Sequence, residues 1–232
     1  MKFVFLPGMD GTGMLFEPLT RIWPKKEPPP VVISYPSDRF LNYDELDRYV
    51  RPKLPTDEPY VLVAESFGGP LAMRIAADKP PRLRGLVLSA TFVRNPKGWI
   101  GTLGDFIVGP YLFRQPYFNI VGRWVMQAQG LPGWQIDFLL QAMGHDRPEI
   151  LAARLKEALE VDALADLKNC PVPVLCLYAE RDLLVSKRCR ELIGEATPNV
   201  RLVGFDTPHF LLQAKPAEAL HEIQAFTQAL GK

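Results

Sequence analysis

The residue whose surroundings most favour chemistry is Ser66, which lies between a short apolar run and a run of small residues. The four apolar residues at 61–64 are typical of a strand that is covered on both faces of a parallel sheet. The residues from 67 onward favour a helix, and Pro70 suits its first turn, where a backbone N–H has no intrahelical partner. A serine on such a turn presents its hydroxyl above the helix N-terminus, as a nucleophile requires.

A turn of this kind needs small residues on both sides of the serine, because the two backbone segments come into close contact. Ala64 lies two positions before Ser66 and Gly68 lies two positions after it. The usual pattern is Gly-x-Ser-x-Gly, so the sequence departs from it at Ala64. Many packed strand-to-helix junctions look similar, and Ser66 alone therefore does not identify an active site.

A serine hydroxyl becomes a good nucleophile when a base accepts its proton and a carboxylate orients that base. Of the three histidines, His145 is expected to face solvent or cap a helix, and His221 is expected on the surface of the last helix. His209 follows the last predicted strand, in a loop at the carboxyl edge of the sheet. We therefore predict that His209 is the base, with a structural loop histidine as the alternative.

Asp182 is the preferred carboxylate, because it follows one predicted strand and precedes a predicted helix. Glu180 is a competitor two residues nearer the strand. Asp206 is so close to His209 in sequence that shaping the loop is its more plausible role. Aspartates in loops are often turn formers, but the chain order of serine, acid and histidine favours a catalytic Asp182.

An oxyanion hole requires two N–H groups that point at one position. The amide of Phe67, directly after the serine, is predicted to supply one of them. The other is expected from the loop 6–13, whose three glycines let backbone amides turn towards a ligand, and we assign it to Met9. Phosphate binding is the alternative role for this loop, but the Lys-Ser/Thr ending of a Walker loop and the Gly-x-Gly-x-x-Gly pattern are both missing.

The composition narrows the class of protein. With 232 residues, 47% of them hydrophobic, and a net charge of +1, the chain is expected to form one globular core without a nucleic-acid or anionic membrane partner. No leader peptide is expected before the first strand, and no apolar run reaches the roughly 18 residues of a spanning helix. The odd number of cysteines, without metal-ligand spacing, predicts reduced thiols in a cytoplasmic protein with no metal and no cofactor.

Short apolar runs alternate with helical patterns along most of the chain. Strands are predicted at 2–6, 31–34, 60–64, 85–89, 172–178 and 200–205, and helices at 44–54, 67–78, 187–196 and 216–230. This alternation predicts an α/β fold with a mostly parallel sheet and helices on both faces. Ligand sites in such sheets lie at the carboxyl ends of the strands.

The segment 92–167 interrupts the alternation and is predicted to be a helical cap inserted into a core made of 1–91 and 168–232. It contains no convincing strand, its second half (148–167) is helical in pattern, and it is rich in aromatic residues: Trp99, Phe106, Tyr111, Phe113, Tyr117, Phe118, Trp124, Trp134 and Phe138. Because it leaves from the carboxyl end of strand 85–89, we expect it to lie over the serine. The alternative is a helical subdomain without substrate contact.

The motifs LPGMDGTG, ESFGG, AERD and TPHF, spread over nearly the whole chain, resemble those of the α/β-hydrolase fold family. The resemblance implies that the acid and the histidine follow the last two strands, which matches Asp182 and His209. Pro7-Gly8 replaces the family's His-Gly pair, so that Met9 takes the oxyanion role by position. The first strand would correspond to the family's third, so the usual N-terminal hairpin is expected to be missing. LPG-x-DGTG together with SFGG also resembles the acyltransferase-like branch that includes plant phytyl ester synthases.

Together these residues predict a carboxylic ester hydrolase that acts through an acyl-enzyme on Ser66. The aromatic insertion carries few charges, which favours small-molecule esters with a hydrophobic portion. Two alternatives remain, since a fold hosts many functions. One is an acyltransferase that uses the same three residues, and the other is a non-catalytic ligand-binding protein of this fold.

Overall fold

The computed structural model describes residues 1–96 and 110–231. Its strands are β1 (Lys2–Leu6), β2 (Val31–Val32), β3 (Tyr60–Glu65), β4 (Leu83–Ser89), β5 (Val174–Ala179) and β6 (Val200–Phe205). They form one sheet in the order β2-β1-β3-β4-β5-β6, and every pair of neighbours in it is parallel. The described strands thus contain no hairpin, and the predicted α/β fold with its parallel sheet is confirmed.

Helices connect the strands, as parallel neighbours require. They are α1 (Glu17–Arg21), α2 (Tyr43–Val50), α3 (Gly68–Ala77), α4 (Tyr117–Ala128), α5 (Gly133–Met143), α6 (Pro148–Glu160), α7 (Leu164–Lys168), α8 (Lys187–Ala196), α9 (Leu211–Ala214) and α10 (Pro216–Leu230). Short 3₁₀ helices occupy Met14–Phe16, Arg51–Lys53 and Pro110–Phe113. The predicted helices 187–196 and 216–230 coincide with α8 and α10.

Two predicted strands are shorter in the structure than in the sequence pattern. β5 begins at Val174 rather than at 172, because Pro173 has no N–H for the ladder. β2 ends at Val32 rather than at 34, because the chain turns away from the sheet edge. There the N–H of Tyr35 donates to the carbonyl of Gly11, 2.7 Å away, in the loop after β1.

Two predicted helices are interrupted. The pattern 44–54 forms α2 only as far as Val50, and a 3₁₀ turn that contains Pro52 follows it. Proline lacks the N–H that would continue the α-helical hydrogen bonding. The pattern 148–167 is divided into α6 and α7 because the N–H of Ala163 donates to the carbonyl of Val93 (2.7 Å), which belongs to the chain leaving β4.

The sheet is buried on both faces. One face carries β-strand residues that pack against α2, α3, α7 and α8, namely Val4, Leu6, Leu62, Ala64, Leu86, Leu88, Val174 and Cys176. The other face packs against α1 and α10 through Phe3, Phe5, Val61, Val63, Val87, Leu175 and Leu177. A strand covered on both faces is uniformly apolar, which explains the unbroken apolar run before Ser66.

The described residues between β4 and β5 are helical, as the sequence pattern predicts. Within this segment α4 and α5 share a small apolar cluster with Leu15, and α6 shares one with Phe113 and Met9. Both Leu15 and Met9 belong to the chain that follows β1, so these helices contact the carboxyl end of the sheet. Two of the aromatic residues singled out above, Trp99 and Phe106, lie outside the described residues.

Candidate active site

Ser66 lies in the turn between β3 and α3, at the carboxyl end of the sheet. Its φ angle is +48°, in the left-handed region that a residue with a Cβ seldom adopts. Two hydrogen bonds tie it to the chain at the end of β4: its N–H donates to Ser89 O (2.9 Å), and Thr91 Oγ1 donates to its carbonyl (2.5 Å). The turn is therefore fixed by the end of β4, and the hydroxyl is half-buried above the sheet.

The predicted need for a small residue at position 68 is confirmed. A Cβ on Gly68 would lie 2.7 Å from Pro7 O and 2.8 Å from Leu6 O, and backbone atoms cannot yield as a flexible side chain can. The structure adds a second constraint that the sequence pattern did not reveal. A Cβ on Gly69 would lie 1.9 Å from Thr91 Oγ1, so this glycine makes room for the threonine that holds Ser66.

His209 and Asp182 lie beside Ser66 although they are distant in sequence. His209 Nε2 is 3.0 Å from Ser66 Oγ, and His209 Nδ1 is 2.7 Å from Asp182 Oδ2. The side chains of His209 and Asp182 are 5% and 7% exposed, so water does not compete strongly for this pair. The hydrogen bonds form one chain from carboxylate to hydroxyl, which requires a proton on Nδ1 and an acceptor at Nε2 in the resting state.

The carboxylate of Asp182 is stabilised as an anion in spite of its burial. Burial acts to raise its pKa, but the imidazole of His209 and the N–H groups of Leu184 and Val185 lower it below the ordinary value. Those two amides donate to Oδ1 at 2.8 and 2.9 Å, which leaves Oδ2 for the histidine. An acid held in this way can orient His209 and balance a positive charge on it.

The competing residues lie elsewhere. Asp206 is exposed (78%) and pairs with Arg181 at 2.6 Å, so it is part of the loop, as the sequence suggested. Glu180 is exposed on the turn after β5. His145 is exposed, with Nδ1 2.8 Å from Gln141 O. His221 lies on the exposed side of α10.

The two amides assigned to an oxyanion hole belong to the residue after the serine and to the loop that lies against it. A Cβ on Gly8 would lie 3.6 Å from Ser66 Cβ, so the loop that carries Met9 passes directly against the serine. Within residues 1–96 and 110–231, neither the Met9 nor the Phe67 amide makes a hydrogen bond. Phe67 is fixed by Tyr43, whose ring stacks on it with centroids 4.7 Å apart and whose hydroxyl donates to Phe67 O (2.8 Å).

The loop after β1 owes its shape to Asp10, which sequence reasoning passed over. One carboxylate oxygen of Asp10 accepts from the Thr12 N–H, the Thr12 hydroxyl and the Gly13 N–H. Gly11 and Gly13 both have positive φ, at 65° and 76°. An aspartate that precedes Gly-Thr-Gly is a recognisable turn signal, and it could have been identified from the sequence.

A second buried carboxyl group, Glu65, lies next to the serine at the end of β3. It is 2% exposed, and its two oxygens are 3.0 and 3.3 Å from Gln213 Nε2. Burial raises its pKa to about 7, Gln213 and His209 oppose that rise, and the negative charge of Asp10 adds to it. The sequence pattern did not show that the Glu65 side chain would be buried, or that its carboxyl group would lie beside the serine.

Comparison with known proteins agrees with this fold. A sequence model described as the alpha/beta hydrolase family matches residues 3–223. The chain belongs to the alpha/beta hydrolase family. The match runs from β1 into the last helix, α10, and includes Ser66, Asp182 and His209.

Two of the sequence relatives carry the name of an esterase. The chain is 28% identical to a pimeloyl-acyl-carrier-protein methyl ester esterase of Neisseria meningitidis, over 63% of this chain and 60% of the relative. It is 26% identical to the enzyme of the same name from Nitrosomonas europaea, over 72% and 68% of the two chains. The chain thus spans about three fifths of the length of the Neisseria relative.

Solved structures of this family superpose on nearly the whole chain. The enol-lactonase of Burkholderia xenovorans has a TM-score of 0.80 at 14% identity, over 97% of this chain and 90% of the other. A thermophilic esterase of Thermogutta terrifontis has a TM-score of 0.77 at 18% identity, over 100% and 91%. At such identities the likeness concerns the fold.

Among the described helices, none combines the length and the apolar character that crossing a bilayer demands.

Proposed function

We propose that the protein is a serine-dependent carboxylic ester hydrolase. The observation that carries the proposal is the chain of hydrogen bonds from Asp182 through His209 to Ser66, with distances of 2.7 and 3.0 Å. A base within hydrogen-bond reach of a hydroxyl, itself oriented by a carboxylate, is the arrangement that activates a serine. The names of the sequence relatives support the same class of reaction.

In the proposed mechanism, His209 Nε2 accepts the proton of Ser66 while Oγ attacks the carbonyl carbon of the ester. Asp182 stabilises the imidazolium that forms. When the intermediate collapses, the alcohol leaves with the proton from His209, and the acyl group stays on Ser66. A water molecule then attacks the acyl-enzyme, again with His209 as the base, and the carboxylic acid leaves.

The negative charge that develops on the carbonyl oxygen requires donors that are already in place. The Met9 and Phe67 amides are proposed for this role, because they belong to the loop against Ser66 and to the residue after it and have no other partner in the described residues. The N-terminus of α3 adds a positive potential at the same position. Removal of one such donor typically lowers kcat by about two to three orders of magnitude.

The proposed substrates are small-molecule esters with a hydrophobic portion, and the helices between β4 and β5 are proposed as the cap that receives it. Phe210, next to His209 in sequence and with its ring centroid 5.3 Å from the imidazole, packs against an apolar cluster that includes Leu15 and Phe118. Phe210 therefore links the imidazole to an apolar cluster against which Phe118 of α4 also packs. A cytoplasmic location and the lack of a nucleic-acid partner remain predictions.

The test compares the wild type with Ser66→Ala on p-nitrophenyl esters from acetate to decanoate. We expect Ser66→Ala to lower kcat by about 10⁴-fold or more, and a surface control, Ser37→Ala, to keep wild-type rates. A fluorophosphonate probe should label the wild type at Ser66, and activity should peak at chains longer than acetate. Substantial turnover by Ser66→Ala, or labelling of another residue, would overturn the proposal.

A further inference from the structure

Arg154 is a buried charge that the proposed mechanism does not use. It lies on α6, one of the inserted helices, is 1% exposed, and is the largest fully buried side chain in the described residues. Its guanidinium reaches the loop after β1, where Nη1 donates to Met9 O (2.8 Å) and Nη2 donates to Pro36 O (3.0 Å). It also forms a buried ion pair with Asp146, which lies two residues before α6 begins.

Burying an ion pair is costly, because both charges lose water, and apolar residues in its place are often as stable. The guanidinium of Arg154 is nonetheless surrounded by residues of the loop after β1 and of the segment after β2. The ring of Tyr35 lies 5.8 Å from the guanidinium. A Cβ on Gly11 would lie 2.5 Å from Nη1, so the glycine provides the space that Arg154 occupies. The part of the loop at Gly11 thus packs against this cation.

The position of the bound carbonyl suggests what the cation does. The Met9 N–H belongs to the peptide that joins Gly8 to Met9, and the Gly11 N–H holds that peptide by donating to Gly8 O (3.1 Å). The Met9 carbonyl belongs to the next peptide, which the rigid, charged guanidinium of Arg154 holds. Arg154 therefore restrains Met9 on the side that the Gly11 hydrogen bond does not hold, and its loss should let the Met9 amide shift relative to Ser66.

We propose that Arg154, fixed by Asp146, is a positioning residue that holds Met9 so that its N–H points at the developing oxyanion. This inference rests on the proposed esterase function. It assigns to an inserted helix a part in catalysis besides contact with the substrate. The alternative is that the pair only fastens the inserted helices to the core.

The two roles give different kinetics. In Arg154→Met, which keeps the bulk of the side chain without the charge, we expect kcat to fall by about 10- to 100-fold, the usual effect of a small misplacement of catalytic groups. KM should change less than kcat. Arg154→Lys, which retains a positive donor, should recover part of the rate. The matched control is Arg94→Met, which removes an exposed ion pair with Asp162 in the same insertion and should retain the wild-type kcat.

A transition-state analogue separates positioning from fastening. For an alkyl trifluoromethyl ketone of the best chain length, the inhibition constant should rise in Arg154→Met by the same factor by which kcat/KM falls. Binding of the product acid should change little. The double variant Asp146→Leu/Arg154→Met removes both charges, so we expect its stability in urea to recover towards the wild type while kcat remains low.

The outcomes distinguish the two proposals. If the wild type hydrolyses esters and Arg154→Met retains its kcat, or if the double variant regains kcat together with stability, the positioning role is wrong and the esterase proposal stands. If the wild type neither hydrolyses esters nor reacts with the fluorophosphonate, the esterase proposal fails and the role of Arg154 fails with it. Low kcat in a stable double variant, with weakened ketone binding, supports the positioning role.

Discussion

Glu65 gives a prediction about stability that depends on pH. The variant is Glu65→Gln, which keeps the shape of the side chain and removes its charge. In the wild type the carboxyl group is buried at the end of β3, and Gln213 Nε2 lies near both of its oxygens. In the variant the oxygen of the new amide can still accept a hydrogen bond from Gln213 Nε2.

The size of the pH effect on the free energy of unfolding follows from the pKa of Glu65, which burial raises from 4.5 to about 7. Between these values the folded protein binds a proton that the unfolded chain has lost, so the free energy of unfolding falls as the pH rises through this window. Below pH 4.5 both states are protonated and the group has no effect. At about 1.4 kcal/mol per pKa unit, the free energy of unfolding is lower by about 3 kcal/mol at pH 8 than below pH 4.5.

The assay is urea unfolding of wild type and Glu65→Gln at several pH values from 5 to 8. We expect the free energy of unfolding of the wild type to fall relative to the variant by about 2–4 kcal/mol across this range. Glu149→Gln, an exposed substitution on α6, serves as the control and should follow the wild type. Parallel pH curves for wild type and Glu65→Gln would refute the reasoning, because they would mean that Glu65 titrates alike in both states.

Two further predictions concern the site. Gly68→Ala places a methyl group 2.7 Å from Pro7 O, so we expect it to lower the free energy of unfolding by about 1–3 kcal/mol and to lower kcat. Gly133→Ala, where a Cβ would meet nothing within 4 Å, is its control in both assays, and equal effects of the two would contradict the steric argument. Asp182→Asn keeps the size of the side chain but no longer balances an imidazolium, so kcat should fall by about 10⁴-fold. A loss of less than tenfold with p-nitrophenyl esters would argue against this role of Asp182.

The residues that approach the serine could be predicted because each follows a strand. Parallel strands end at the same edge of a sheet, so loops after β1, β3, β5 and β6 meet there whatever the sequence distance between them. Periodicity locates such strands, and Ser66, Asp182 and His209 could be selected by residue type among few candidates. The ends of helices and strands were harder to predict where a proline, or one hydrogen bond to a distant segment, ended them. The hydrogen bond from the Ala163 N–H to Val93 O is an example.

The supporting residues could not be predicted, for a different reason. Thr91, Tyr43 and Arg154 act through contacts between segments that no local pattern relates. An arginine on a helix with an apolar face is normally expected at the surface, and only the packing of α6 against the loop after β1 reveals that Arg154 is buried. The raised pKa of Glu65 similarly depends on charges and burial contributed by other segments.

The helical segment between β4 and β5 starts and ends at strands that are direct neighbours in the sheet. Because its two ends lie side by side, we expect that this segment could be exchanged between homologues without disturbing the strands that precede Ser66, Asp182 and His209. The exchanged segment would have to keep one feature of this one, the buried cation. A replacement segment without a cation at the position of Arg154 would leave the carbonyls of Met9 and Pro36 buried without a hydrogen bond. A chimera should therefore carry the arginine and its aspartate together.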